Sequence, residues 1–118
     1  MNINIRGRLF DLSKPKVMGI LNLTPDSFYD GGVHNEINKI ENHVNKMVND
    51  GMDILDIGGY SSKPGAKNIS VDEELSRVIP ILKHIRKIFP ELVISIDTFR
   101  SKIASASLNE GADIINDI

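Results

Sequence analysis

The sequence predicts an α/β fold built on parallel strands. Short runs rich in Ile, Val and Leu recur along the chain, amphipathic helical patterns separate them, and 41% of the 118 residues are hydrophobic, the ordinary globular range. A β-α-β-α-β-α-β order implies right-handed crossovers. It leaves two architectures open, a doubly wound sheet or part of a (β/α)8 barrel.

Ile3 to Phe10, around Gly7, reads as a small hairpin. The main strands are expected at Val17–Asn22, Asp53–Ile57, Leu92–Ile96 and Ala112–Ile118. Between the first two, Ile37, Ile40, Val44, Met47 and Val48 keep helical spacing, and Gly51 can supply the left-handed residue that ends the helix. Ser70 opens the next helix with Glu73 three residues on, a capping box. An apolar stripe of Val71, Leu75, Val78, Ile79, Leu82 and Ile85 follows, and Pro80 is expected to kink it. The cations of Lys83–Lys87 read as a solvated helix face, and Ser101–Glu110 as a shorter helix closed by Gly111. The chain stops at Ile118 inside an apolar strand, so the natural protein is expected to continue.

A net charge of -2 with scattered basic residues gives no electrostatic footprint for nucleic acid or an anionic membrane. The absence of cysteine removes disulfides, thiolate metal sites and a cysteine nucleophile, and suits a reducing compartment, the cytoplasm by default. Neither a signal-peptide pattern nor an apolar stretch of spanning length occurs. His34, His43 and His84 lack the spacing of a helical metal pair, so packing or solvated roles are expected.

Each predicted strand carries a polar residue at or near its end, Asn22, Asp56, Asp97 and Asn116 in turn. Any one of these alone would be explained as a turn or a helix cap. At four carboxyl ends of parallel strands, where ligands bind in such folds, they favour a site that hydrogen-bonds the edge of a polar heterocycle. Two segments dense in Gly, Pro, Ser and Thr follow the first two strands, 24–32 and 58–65. Their hydroxyls, amides and Lys63 suit an anionic phosphate, while Phe28, Tyr29 and Pro64 offer apolar surface to a flat aromatic ring. Neither contains a Walker or dinucleotide-binding glycine pattern.

The run from Met18 through Asn22 to Thr24-Pro25-Asp26-Ser27-Phe28-Tyr29-Asp30-Gly31-Gly32 resembles the first signature of dihydropteroate synthases. Asp56-Ile57-Gly58-Gly59-Tyr60-Ser61-Ser62-Lys63-Pro64-Gly65-Ala66 is similar to the second, and Ser95-Ile96-Asp97-Thr98 and Gly111-Ala112-Asp113-Ile114-Ile115-Asn116-Asp117-Ile118 follow in family order. The resemblance implies a (β/α)8 barrel, here its first four strands and three helices, with residues 1–118 the N-terminal part of one pterin-binding domain that ends after the fourth strand. Such a barrel needs roughly 250 residues.

The resemblance also implies a reaction: an arylamine, p-aminobenzoate, displaces pyrophosphate from 6-hydroxymethyl-7,8-dihydropterin pyrophosphate to give 7,8-dihydropteroate. Asp97 and Asn116 would hold the pterin ring, with Asp56 in its floor. Asn22 would ligate the Mg2+ carried with pyrophosphate, and Ser62 and Lys63 would contact the phosphates. Phe28, Asp30 and Pro64 would belong to the segments around p-aminobenzoate, and Asp30, Lys63 and Asp97 would act in the reaction. A cytoplasmic homodimer, a target of sulfonamides, is the implied setting.

Where the family usually has Glu-Ser-Thr-Arg-Pro-Gly, this chain has Tyr60-Ser61-Ser62-Lys63-Pro64-Gly65, and an ammonium cannot make the bidentate phosphate contact of a guanidinium. The family's later Asp, its barrel lysine and its final Arg-x-His anion site fall beyond Ile118, so the 118 residues alone are expected to be inactive. Two alternatives remain: a corrinoid-linked pterin-binding methyltransferase domain, against which the Thr24–Phe28 run argues, and a noncatalytic half-barrel that self-associates through an open strand edge.

Overall fold

Parallel strand pairing organises the protein, whose computed structural model describes residues 2–5, 8–11, 16–23, 33–59 and 69–116. Asn2–Ile5 (β1) and Arg8–Asp11 (β2) pair antiparallel with Ile5 opposite Arg8, giving the expected hairpin. Met18–Asn22 (β3), Ile54–Gly58 (β4), Val93–Asp97 (β5) and Ile114–Asn116 (β6) form a second sheet, parallel throughout. Between them run the helices Val33–Asn49 (α1), Val71–Ile88 (α2) and Ser101–Asn109 (α3).

The sheet order β3-β4-β5-β6 follows the chain without reversal. A doubly wound sheet reverses at its switch point, whereas a barrel adds every strand to the same edge. Strand order therefore resolves, in favour of the barrel, the choice that periodicity left open.

Three of these strands start one residue later than the sequence predicts. Val17 and Asp53 instead form a joint below β3 and β4: Asp53 N donates to Val17 O at 2.8 Å and Val17 N to the Asp53 carboxylate at 2.8 Å. The fourth contracts to Ile114–Asn116, because Ala112 N closes α3 and Asp113 is engaged elsewhere; Asp117 and Ile118 lie outside the described residues.

Two helix ends show why glycine stands where it does. At the end of α1, Gly51 N donates to Val48 O and Met52 N to Met47 O; after α3, Gly111 N donates to Leu108 O and Ala112 N to Ser107 O. Both are Schellman closures, which need a left-handed residue, and Gly51 and Gly111 have φ of 99° and 107°. At the start of α2, Glu73 N donates to Ser70 Oγ at 3.0 Å, half of the predicted capping box. The helix continues beyond Pro80, which is exposed and leaves the Ser76 carbonyl without its usual helical donor.

One face of the sheet packs Leu21, Leu55, Ile57, Ile94 and Ile96 against Ile40 and Val44 of α1, Val78, Leu82 and Ile85 of α2 and Ile103 of α3. Every apolar position predicted for α1 is in this core or against it. On the other face Ile54, Val93 and Ile114 make a smaller cluster, and Ile20 is 61% exposed.

The solvated face expected at Lys83–Lys87 needs correction at Arg86. Its guanidinium donates to Gly111 O at 2.7 Å, Leu92 O at 2.7 Å and Asp113 Oδ2 at 2.8 Å, joining the end of α2 to the starts of β5 and β6. A long stem with five planar donors can reach inward where three carbonyl-rich connections meet, and a helical charge pattern does not show this. The Asp113 side chain is 2% exposed and also accepts from Ile94 N, so removing Arg86 would strand a buried carboxylate. Arg86→Met is expected to lower unfolding free energy by ~3–5 kcal/mol in urea denaturation. Lys83→Met, at a 59% exposed side chain 3.8 Å from Glu110, should change it by only ~0–1 kcal/mol.

Candidate functional site

Register gathers the candidate residues. Asn22 pairs with Gly58, Gly58 with Asp97, and Asp97 with Asn116, so four consecutive strands contribute one residue each to a single row at the carboxyl end of the sheet. Side chains alternate along a strand, which puts this row on the face of Ile54 and Val93, opposite the helices. Leu23 N donates to Gly58 O at 2.7 Å and Thr98 N to Asn116 O at 3.1 Å, carrying the ladder past the row and fixing the strand ends. Gly58 contributes no side chain; a Cβ there would lie 3.5 Å from Asp97 Cβ, so the glycine leaves a gap between Asn22 and Asp97.

Two residues further into the sheet, Asp56 pairs with Ser95. Asp56 is 5% exposed within a strand otherwise made of Ile, Leu and Gly. Burial raises its pKa, opposed by the neighbouring Ser95 and Asn116 side chains. For Asp97 burial again dominates, and the charges of Asp56 and Glu74 add to it, pushing the carboxyl up to about 6. One oxygen of each carboxylate, Asp56 Oδ1 and Asp97 Oδ1, is buried without a hydrogen-bond partner among the described residues. Unsatisfied buried acceptors are uncommon and mark places where a ligand's donors would be stabilised.

Sequence reasoning did not single out Glu74, which lies in the first turn of α2. This residue is fully buried; Thr98 Oγ1 donates to its Oε2 at 2.8 Å, and Arg100 Nη1 lies 3.2 Å from its Oε1. The available clue was position: Glu74, Val78, Ile81, Leu82 and Ile85 share the buried stripe, so a glutamate occupied an apolar slot. His84, read as having a packing or solvated role, lies with Nε2 3.1 Å from Glu41 Oε1, between α2 and α1.

The structure thus brings Asn22, Asp97 and Asn116 into one row with Asp56 beneath. Phe28, Asp30, Ser62, Lys63 and Pro64 lie outside the described residues. Among the described residues no group of three or more His, Asp or Glu side chains is placed to hold a metal ion. No helix among them is long and apolar enough to cross a membrane.

The raised carboxyls have a measurable consequence. An acid whose folded pKa exceeds its unfolded value stabilises the fold below the unfolded pKa, and that contribution is lost as pH rises through the folded one. For Asp97 the window runs from 3.8 to about 6. Asp97→Asn cannot ionise, so its stability relative to the parent should rise across this window and level off above it in urea denaturation at successive pH values.

The sequence profile of pterin binding enzymes matches residues 18–118. Dihydropteroate synthase of Escherichia coli is 50% identical over 118 residues, which are 100% of this chain and 42% of that protein. The structure of Xanthomonas albilineans dihydropteroate synthase with 4-aminobenzoic acid superposes with a TM-score of 0.88 at 42% identity, covering 99% of this chain and 43% of that one. Yersinia pestis dihydropteroate synthase, solved with a sulfonamide drug, gives 0.86 at 44% identity, covering 100% and 42%. The chain therefore spans about two-fifths of the curated relative's length, and its four-stranded sheet with three helices matches the N-terminal part of those barrels. With its profile match running from the first residue of β3 to the end of the chain, the protein belongs to the family of pterin-binding enzymes.

Proposed function

We propose that the protein is a dihydropteroate synthase, and that residues 1–118 are the N-terminal part of its single barrel domain. The carrying observation is the in-register row of Asn22, Asp97 and Asn116, with orphaned carboxylate oxygens on Asp97 and on Asp56 below it. A dihydropterin presents ring N–H donors and carbonyl and ring-nitrogen acceptors along one edge; carboxylates match the former and a carboxamide matches both. Ile20, exposed on the same face as the row, is the kind of surface the remainder of a barrel would cover. The relatives share this assignment, and the Xanthomonas albilineans enzyme was solved with 4-aminobenzoic acid.

In this reading Asp97 and Asn116 hold the pterin, with Asp56 as its floor. Bound N–H donors favour the ionised form of Asp97, and the carboxylates of Asp97 and Asp56 then face the positive charge that grows on the methylene carbon as its C–O bond breaks. The electron pair leaves with the pyrophosphate oxygen. The neutral arylamine forms the C–N bond and gives up a proton, so no serine or cysteine nucleophile is required. Ser62 and the single ammonium of Lys63 meet the phosphates, while Phe28, Asp30 and Pro64 border p-aminobenzoate. The Asn22 carboxamide suits a Mg2+ ion that arrives on the pyrophosphate, because Mg2+ takes oxygen ligands and few from protein when phosphates supply the rest. Bound there, it would neutralise charge on the leaving group. A cysteine-free chain suits the cytoplasm, and the family resemblance supports a homodimer and sulfonamide binding at the p-aminobenzoate position.

Incubation of the full-length protein with dihydropterin pyrophosphate, p-aminobenzoate and Mg2+ should release pyrophosphate and dihydropteroate in equal amounts. In Asp97→Asn, an acceptor becomes a mixed amide facing ring donors, and pterin affinity by calorimetry should fall roughly 10- to 100-fold, the loss of about 1.5–3 kcal/mol. No dihydropteroate from the parent protein would refute the assignment; unchanged pterin affinity in the variant would remove Asp97 from the site.

A further inference from the structure

Thr98 stands between the two residues proposed to hold the pterin. It follows Asp97 in the chain, and its N–H donates to Asn116 O at 3.1 Å, so one residue is bonded to both. Its side chain is buried and turns the other way, to α2: Oγ1 donates to Glu74 Oε2 at 2.8 Å and accepts from Arg100 N at 3.2 Å. A hydroxyl with its one proton and an acceptor position both engaged is held in a single rotamer. Glu74 Oε1 in turn accepts from Arg100 Nη1 at 3.2 Å, and Arg100 Nη2 donates to Ile69 O at 2.6 Å, just before α2. The helix brings this carboxylate close to the strand ends because Gly59 has no side chain; a Cβ there would lie 3.2 Å from Glu74 Cγ and 2.7 Å from Val78 Cγ2.

Satisfying one threonine hydroxyl does not require a fully buried charge, since a helix carbonyl would serve. A buried carboxylate does more: it holds its donors firmly, because losing either leaves a charge unpaired in the interior. Recognition of a ring edge needs that firmness, for an acceptor and a carboxamide must keep their spacing to about 0.5 Å. We propose that Glu74 is a positioning residue for pterin recognition: through Thr98 it fixes Asp97 against Asn116, with Arg100 the counter-charge that keeps it in place. The inference rests on the proposed pterin-holding role of Asp97 and Asn116. It adds a determinant on the helix side of the sheet, which the ligand does not touch.

Calorimetric titration of the full-length protein with 6-hydroxymethyl-dihydropterin tests it, run about two pH units above the raised Asp97 value so that Asp97 is ionised throughout. Thr98→Val keeps the volume and the N–H bond to Asn116 O but loses the hydroxyl, and Kd should rise roughly 10-fold. Thr98→Ser restores the donor to Glu74 and should recover most of that loss. Glu74→Gln keeps the side-chain shape without the charge, and should raise Kd by at least about threefold. In the same variant the Asp97 carboxyl, followed by NMR, should titrate below the parent's value, because Glu74 no longer opposes its ionisation. Since the effect passes through the row, Thr98→Val added to Asp97→Asn should cost less than the product of the two separate losses. A parent that binds pterin, with Thr98→Val and Glu74→Gln within about twofold of it, overturns the inference. So does Thr98→Ser binding no better than Thr98→Val, or losses that simply multiply, the mark of general structural damage. A parent that binds no pterin overturns the proposed function, and this inference with it.

Discussion

Parallel register is the constraint from which the site follows. Because β3, β4, β5 and β6 pair in chain order, paired residues of neighbouring strands lie at one height, and residues two positions apart on a strand share a face. A slip of one residue in any strand would turn its polar end into the helix-packed core and bring an Ile or Leu into the row. The alternation that buries Leu55, Ile57, Ile94 and Ile96 against the helices is thus the same alternation that presents Gly58 and Asp97 on the other face. Core packing and site geometry are two results of one pairing.

The two ends of the sheet use buried charge differently. At the amino end, Arg86 and Asp113 with the surrounding carbonyls close the connections into β5 and β6, and every oxygen they engage belongs to the chain itself. At the carboxyl end Asp56 and Asp97 each keep an oxygen without a partner among the described residues, and their charges oppose one another. Such an arrangement weakens the fold and persists where a ligand completes it. Glu74 stands between these cases: it is satisfied within the protein, yet its charge reaches Asp97.

Much of this was legible in the sequence because local chemistry and tertiary context agree. The Schellman glycines Gly51 and Gly111, the Ser70 cap and the apolar stripe of α1 each answer a local requirement, and the polar ends Asn22, Asp97 and Asn116 interrupt apolar runs where parallel strands end. What escaped were long side chains whose partners lie far along the chain. Arg86 looked like one more surface cation and Glu74 drew no reading at all, since spacing within a helix does not reveal which carbonyls or hydroxyls another element will bring. Strand order was equally hidden, because hydrophobic periodicity describes each strand alone.

The central claim is that the row containing Asp97 receives the ring N–H donors of a pterin. It is tested most directly by following the Asp97 carboxyl carbon by NMR as pH is varied, with and without saturating dihydropterin. The free protein should titrate near the raised value of about 6. Donors to the ionised form lower a carboxyl pKa, so bound pterin should shift the titration clearly downward. An Asp97 titration that pterin leaves unmoved would contradict the account.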